Sequence, residues 1–168
     1  MGCNEKVQIV EGFFEEESVN IKEGYDFILC SGLLHEVENS GKLLEAIYRI
    51  CRDDTVVHIN VPNAFSLHRL LALEMGIIDD VHQLSGENIL FQQSEVYDKE
   101  LLLSELNSNG FQTLESGTYF CKLFTHQQMQ RMIEIGLMTD NMLDGFDKLV
   151  EFFPLYGSEL FANVKKRI

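Results

Sequence analysis

The feature that most narrows what this 168-residue chain can fold into is a strand, a helix and a second strand in immediate succession. Residues 26–31, Asp-Phe-Ile-Leu-Cys-Ser, are nearly continuous apolar sequence closed by Gly32, the pattern of a strand covered on both faces as in a parallel sheet. After Ser40, which predicts an N-cap, Leu43, Leu44, Ile47, Ile50 and Cys51 recur at helical spacing, with Lys42, Glu45, Arg49 and Arg52 on the other side. Asp53-Asp54 then turns the chain into the β-branched run 55–61, which Pro62 stops because proline cannot donate to a ladder. Such a βαβ unit joins parallel strands by a right-handed crossover. The fold class that follows is α/β.

The flanks fill in the sheet and its cover. Residues 7–10 read as a short buried strand ending at Glu11-Gly12, and 13–24 as a loop with a short helical turn. Further along, 66–75 reads as a helix closed by Gly76, and Asp98 caps another whose Leu101, Leu102 and Leu106 face inward before Asn109-Gly110 ends it. Residues 111–125 hold a strand or a hairpin about Gly117. Thr125 to Gln128 form a capping box that opens a helix, Thr139 caps one more, and 158–164 predict a last strand with a basic tail.

Size and the absence of a Pro/Gly-rich linker argue for one domain over 1–168. The net charge of −14 repels phosphate backbones, so nucleic acid is not the expected partner. No apolar run approaches the roughly 18 residues of a membrane span, and charge at Glu5 and Lys6 spoils a signal peptide. Lys6 also stands where a myristoylation signal wants Ser or Thr. Cys3, Cys30, Cys51 and Cys121 are scattered without a CxxC pair, the usage of reduced thiols in a cytoplasmic protein, which is the location expected.

The segment Tyr25-Asp26-Phe27-Ile28-Leu29-Cys30-Ser31-Gly32-Leu33-Leu34-His35-Glu36-Val37 resembles the fourth strand and following loop of class I S-adenosylmethionine-dependent methyltransferases. An aromatic-Asp pair opens that strand in the family, and a Leu, a His/Glu pair and a Val follow. The helix at 43–52, the strand at 55–61, the Val-Pro-Asn turn through Asn63, Gly110-Phe111 and 158–166 resemble the family's later elements in the same order. The resemblance implies a Rossmann-like sheet, mostly parallel with an antiparallel C-terminal pair. That sheet is N-terminally incomplete, since the family's glycine-rich turn and ribose-binding acid have no counterpart here. Roughly sixty residues of strand and helix would be lacking. It also implies S-adenosylmethionine as cofactor, with Glu11, Gly12 and Phe13 near the adenine and Ser31, Gly32 and Leu33 at the methionine end. Phe13 stands where the family usually has an acid.

In open α/β sheets ligands sit beyond the carboxyl ends of the strands, so the loops after Val10, Ser31 and Val61 should converge. His35, Glu36, Asn63 and His68 are the candidates around the acceptor, with Arg69 beside them. Each has a plainer reading: His35 and Glu36 solvate a loop and cap the next helix, Asn63 serves the turn, and His68 and Arg69 sit on a solvated helix face. His35-Glu36 lacks the HExxH spacing, because position 39 is Asn, so no metal is expected. His58 reads as a satisfied sheet-face histidine and His126 as part of its capping box. Met129, Met132, Met138 and Met142 serve core packing or a pliable pocket.

The function expected is methyl transfer to a small-molecule acceptor, with helical acceptor-side insertions at about 64–109 and 125–153. The rival is a non-catalytic fragment that complements another subunit. Either way a sheet without its first strands leaves an unpaired edge, and self-association, a homodimer in the simplest case, is expected.

Overall fold

The computed structural model describes residues 9–18, 21, 24–90 and 93–167. Its elements in chain order are α1 (Phe14–Glu17), β1 (Tyr25–Ser31), α2 (Ser40–Ile50), β2 (Cys51–Pro62), α3 (Leu67–Glu74), α4 (Gly86–Leu90) and α5 (Lys99–Ser108). After them come β3 (Phe111–Tyr119), α6 (His126–Glu134), α7 (Asp140–Lys148), a 3-10 turn at Leu149–Glu151 and β4 (Glu159–Lys166).

Among the described residues four strands form one sheet in the order β1-β2-β4-β3. β1 and β2 are parallel, as the crossover through α2 requires, while β4 lies antiparallel to both β2 and β3. The mixed sheet is the Rossmann-like arrangement with an antiparallel C-terminal pair. Cys3 and the first half of the strand expected at 7–10 lie outside the described residues, and Ile9 and Val10 are not in a strand.

Side chains alternate across a sheet, so one face of each strand can be buried while the other is not. Cys30 of β1, Val57, Ile59 and Val61 of β2 and Leu160, Ala162 and Val164 of β4 point to one side. There they meet Leu43, Leu44 and Ile47 of α2 and Leu102 and Leu106 of α5 in a single core. On the other side Phe27 is 56% exposed and Leu29 65%. The apolar run at 26–31 therefore builds a strand covered on one face, not two, and β1 is an edge of the sheet among the described residues. The run fixes the strand; what covers it depends on elements elsewhere.

Several local expectations are refined. The N-cap of α2 is Asn39, whose side chain accepts from the Lys42 amide at 2.9 Å, and Ser40 instead hydrogen-bonds the Glu105 carboxylate on α5. Asp53 and Asp54 do not turn the chain between elements. They lie within β2, opposite a register shift between Tyr25 and Phe27, where Arg52 binds Asp54 at 3.0 Å and also Asp26. β3 is one unbroken strand, not a hairpin: a Cβ on Gly117 would come within 2.9 Å of Phe161 Cε1, so the glycine makes room for a ring on the neighbouring strand. Leu101 faces outward, with Leu102 and Leu106 alone buried on α5. Thr139 precedes α7 without a side-chain cap bond, while the Thr125–Gln128 capping box is complete.

Candidate functional site

Three strands end at one edge of the sheet, where β4 begins. Ser31 pairs in register with Asn60, and the Gly32 amide donates to the Asn60 carbonyl at 3.1 Å. β2 runs on to Pro62, which pairs with Glu159, and Glu159 pairs in turn with Tyr119 at the end of β3. Ser31 and Asn63 thus stand at the same pole of the molecule. Gly32 takes a left-handed φ of +64°, with nothing within 4 Å of where its Cβ would be, and Leu33 beside it is exposed. That leaves open space at the end of β1.

Asn63 is buried and fully engaged. Its amide donates to the carbonyls of Leu155 at 3.0 Å and Gly157 at 2.8 Å, and its side-chain oxygen accepts from the Phe65 amide at 3.0 Å. It ties the loop after β2 to the loop before β4. Ser66 follows as the N-cap of α3, and its hydroxyl, like that of Ser158, is buried without a partner among the described residues.

α3 carries His68, whose Nδ1 is likewise buried and unpartnered. Burial pushes its pKa down to about 4, with the nearby cations Lys122 and Arg69 acting in the same direction, so the ring is neutral at ordinary pH. Arg69 itself holds the carbonyls of Val81 and Gln83, at 3.0 and 2.6 Å.

His35 turns into the interior, 4% exposed. Its carbonyl accepts from the Ser94 amide at 2.9 Å, and burial lowers its pKa against the opposing pull of Glu36. Glu36 is exposed. Glu11, Gly12 and Phe13 are exposed ahead of α1; the Phe13 carbonyl receives the Glu16 and Glu17 amides, and α1 packs on α2. Among the described residues no hydrogen bond joins these three to Ser31, Gly32 or Leu33.

The edge also gathers residues that sequence reasoning missed. Asn60, 6% exposed, lies on the face away from the helices and reaches the Glu159 carboxylate at 3.5 Å. Burial raises the Glu159 pKa, while the bond from Asn60 and the charge of Lys122 oppose the rise. Tyr119 is close enough for Glu159 to help raise its hydroxyl pKa, burial being the larger cause. No local motif marks this group, because Asn60 and Glu159 are neighbours only through antiparallel pairing. His58, on the same face, donates from Nδ1 to Asn163 Oδ1 at 2.8 Å and its ring stacks on Phe161 at 6.0 Å, which satisfies it as a sheet-face histidine.

A cavity of about 600 Å3 opens at the same strand ends on the helix-covered side, between Phe65, Leu103, Tyr156 and Leu160, a size suited to a small molecule. Cys30, Cys51 and Cys121 are buried free thiols, and burial pushes the first two up to about 11. Among the described residues no group of three or more metal-ligating side chains occurs, and no helix is long and apolar enough to cross a membrane.

No curated protein matches the chain. Solved structures do. A SAM-dependent methyltransferase from Archaeoglobus fulgidus superposes with a TM-score of 0.53 at 16% identity, covering 98% of this chain and 70% of that one. A Thermotoga maritima SAM-dependent methyltransferase, described as a possible histamine N-methyltransferase, gives 0.57 at 13% identity, over 94% of this chain and 63% of that one. Phosphoethanolamine N-methyltransferase 2 from Haemonchus contortus gives 0.52 at 15% identity, over 88% of this chain and 34% of that one. The chain therefore spans from about a third to about seven-tenths of the length of these neighbours, and at such identity the likeness is one of fold. The family model for a methyltransferase domain matches residues 3–116, more than half of the sequence, and the chain belongs to that methyltransferase family.

Proposed function

We propose that the chain takes part in S-adenosylmethionine-dependent methyl transfer to a small-molecule acceptor. The observation that carries this reading is the convergence, at the strand ends, of the open loop Ser31-Gly32-Leu33 with the polar pair Asn60 and Glu159. Family membership supplies the reaction class.

The residues present fit one wall of a cofactor site. The unobstructed space at Gly32 and the exposed Leu33 would border the methionine end, and Glu11, Gly12 and Phe13 the adenine. When bound, S-adenosylmethionine supplies an electrophilic methyl group. The part of this chain in such a transfer would be to hold the acceptor in line and to keep water out. Positioning dominates that step. His68, its Nδ1 buried, would stand on the acceptor side as an uncharged ring, since a pKa of about 4 makes it a weak base at ordinary pH. Asn63 holds the loops at 63–66 and 155–158 together, His35 braces the loop after β1 from within, and Glu36 stands exposed on that loop. The segments 64–109 and 125–153, read as the acceptor side, hold α3, α4 and α5 and then α6 and α7, with α5 also packing in the main core. A cytoplasmic location accords with the scattered thiols.

Calorimetry with S-adenosylhomocysteine tests the reading. Micromolar binding by the chain alone supports it, and no binding up to millimolar ligand overturns it for the isolated chain. A second reading, a subunit that complements another chain, is favoured by the uncovered Phe27 and Leu29 on the edge strand β1. It expects cofactor binding only in a complex.

A further inference from the structure

The acceptor-side group at Glu159 is set on an aromatic floor. Successive residues of a strand point to opposite faces, so Phe161 lies on the same face as Glu159, one step along β4. Tyr119 is the cross-strand partner of Glu159, and its ring lies 6.3 Å from that of Phe161. Gly117, paired with Phe161, is what lets that ring lie over β3. His58 stacks on the far side of Phe161 at 6.0 Å. A carboxylate therefore shares this face of the sheet with the neighbouring rings of Tyr119 and Phe161, apolar surface for the body of a guest.

The carboxylate itself is under-engaged. Its contact with Asn60 is long, at 3.5 Å, and no ion pair within 4 Å reaches it among the described residues. Lys122 is near enough to influence both Glu159 and His68, yet it does not close on Glu159. A partly buried carboxylate that keeps free lone pairs is costly unless a donor arrives. A guest bearing N–H donors would remove that cost and gain a charge-assisted hydrogen bond.

We infer that the methyl acceptor is an amine on an apolar stem, its nitrogen hydrogen-bonded to the Glu159 carboxylate and its stem lying on Tyr119 and Phe161. The inference rests on the methyltransferase reading above for the word acceptor, and on the Glu159 geometry alone for the word amine. Two charged groups set the local field: Glu159 attracts a protonated amine and Lys122 opposes it.

The test titrates the full chain with three probes of one shape, phenethylamine, 2-phenylethanol and phenylacetate, read by NMR chemical-shift changes at Tyr119 and Phe161. Phenethylamine should bind roughly tenfold more tightly than the alcohol, the scale of one charge-assisted hydrogen bond. Glu159→Gln should abolish that preference without changing the melting temperature by more than a few degrees. Lys122→Met should strengthen amine binding, a change of sign that a merely structural role for Glu159 does not produce. Equal binding of amine and alcohol, preference for phenylacetate, or no shift with phenethylamine at 10 millimolar, roughly the weak limit of fragment-scale affinity, would overturn the inference. S-adenosylhomocysteine binding is measured separately, so loss of the methyltransferase reading and loss of the amine site give different results.

Discussion

The Asn63 side-chain amide donates to the Gly157 carbonyl at 2.8 Å, joining the segment that leaves β2 to the segment that enters β4 across 94 residues of sequence. The Gly157 amide in turn donates to Thr118 Oγ1 at 3.2 Å, so the ends of β2, β3 and β4 are locked through one residue pair. Removing one buried partner leaves the others unsatisfied, which costs more than the bond itself. Asn63→Ala should lower the unfolding free energy by about 2–4 kcal/mol in urea titration. Gly157→Ala should be at least as severe, because its Cβ would sit 2.7 Å from the Tyr119 carbonyl oxygen. A loss within error for both variants would mean that the strand ends are held by something else.

Acid should destabilise the fold in a defined window through His68. Its pKa is about 4 in the folded chain against an ordinary value of 6.5, so the unfolded chain takes up the proton first. The stability His68 contributes is present above pH 6.5 and is lost as pH falls toward 4. His35, also lowered by burial, acts in the same sense. Urea midpoints measured from pH 7.5 to 4 should fall for the wild-type chain, and His68→Gln should flatten the slope. An unchanged slope in that variant would remove His68 from the account.

The two faces of α5 make a paired test of the core. Leu106 is fully buried between the helix layer and the sheet, whereas Leu101, one turn and a fraction earlier, is 38% exposed. Leu106→Ala should cost about 2–5 kcal/mol, the range for a buried leucine whose cavity cannot collapse. Leu101→Ala should stay within about 0.5 kcal/mol. Equal costs would place the helix in a different rotation.

The edge strand β1 should drive association. It combines an unpaired backbone edge among the described residues with exposed Phe27 and Leu29 and carries neither Pro nor Lys to blunt it. Light scattering should show a mass that rises with concentration, and Leu29→Lys should return the chain toward a monomer. A wild-type chain that stays monomeric at every concentration would contradict this.

How much of this could be read in advance follows from how far apart the interacting residues are. The β1–α2–β2 unit declares itself through local periodicity, and so does the Thr125 capping box, since all its parts lie within four residues. Asn39 and Ser40 are both good caps by type, and only a carboxylate 65 residues away, which claims Ser40, decides between them. Gly117 is compatible with a strand or a hairpin in sequence, and the Phe161 ring that explains it is brought near only by strand pairing. The same holds for Asn60 and Glu159, joined by β2–β4 register rather than by spacing. That Ser31, Gly32 and Asn63 lie near one another follows from the ends of two adjacent parallel strands, which topology alone puts together. That the His35 backbone is held by Ser94, 59 residues on, is encoded by no pattern around residue 35.

The one-sided sheet has a thermodynamic corollary. With α2 and α5 closing one face of the sheet and Phe27 and Leu29 exposed on the other among the described residues, most of the apolar burial of β1 lies on one side. Whatever settles on the open side recognises the native form and not the random coil, so its occupancy adds to resistance against unfolding by mass action. A melting curve of this protein accordingly reports the company the chain keeps in the cuvette as much as the chain itself.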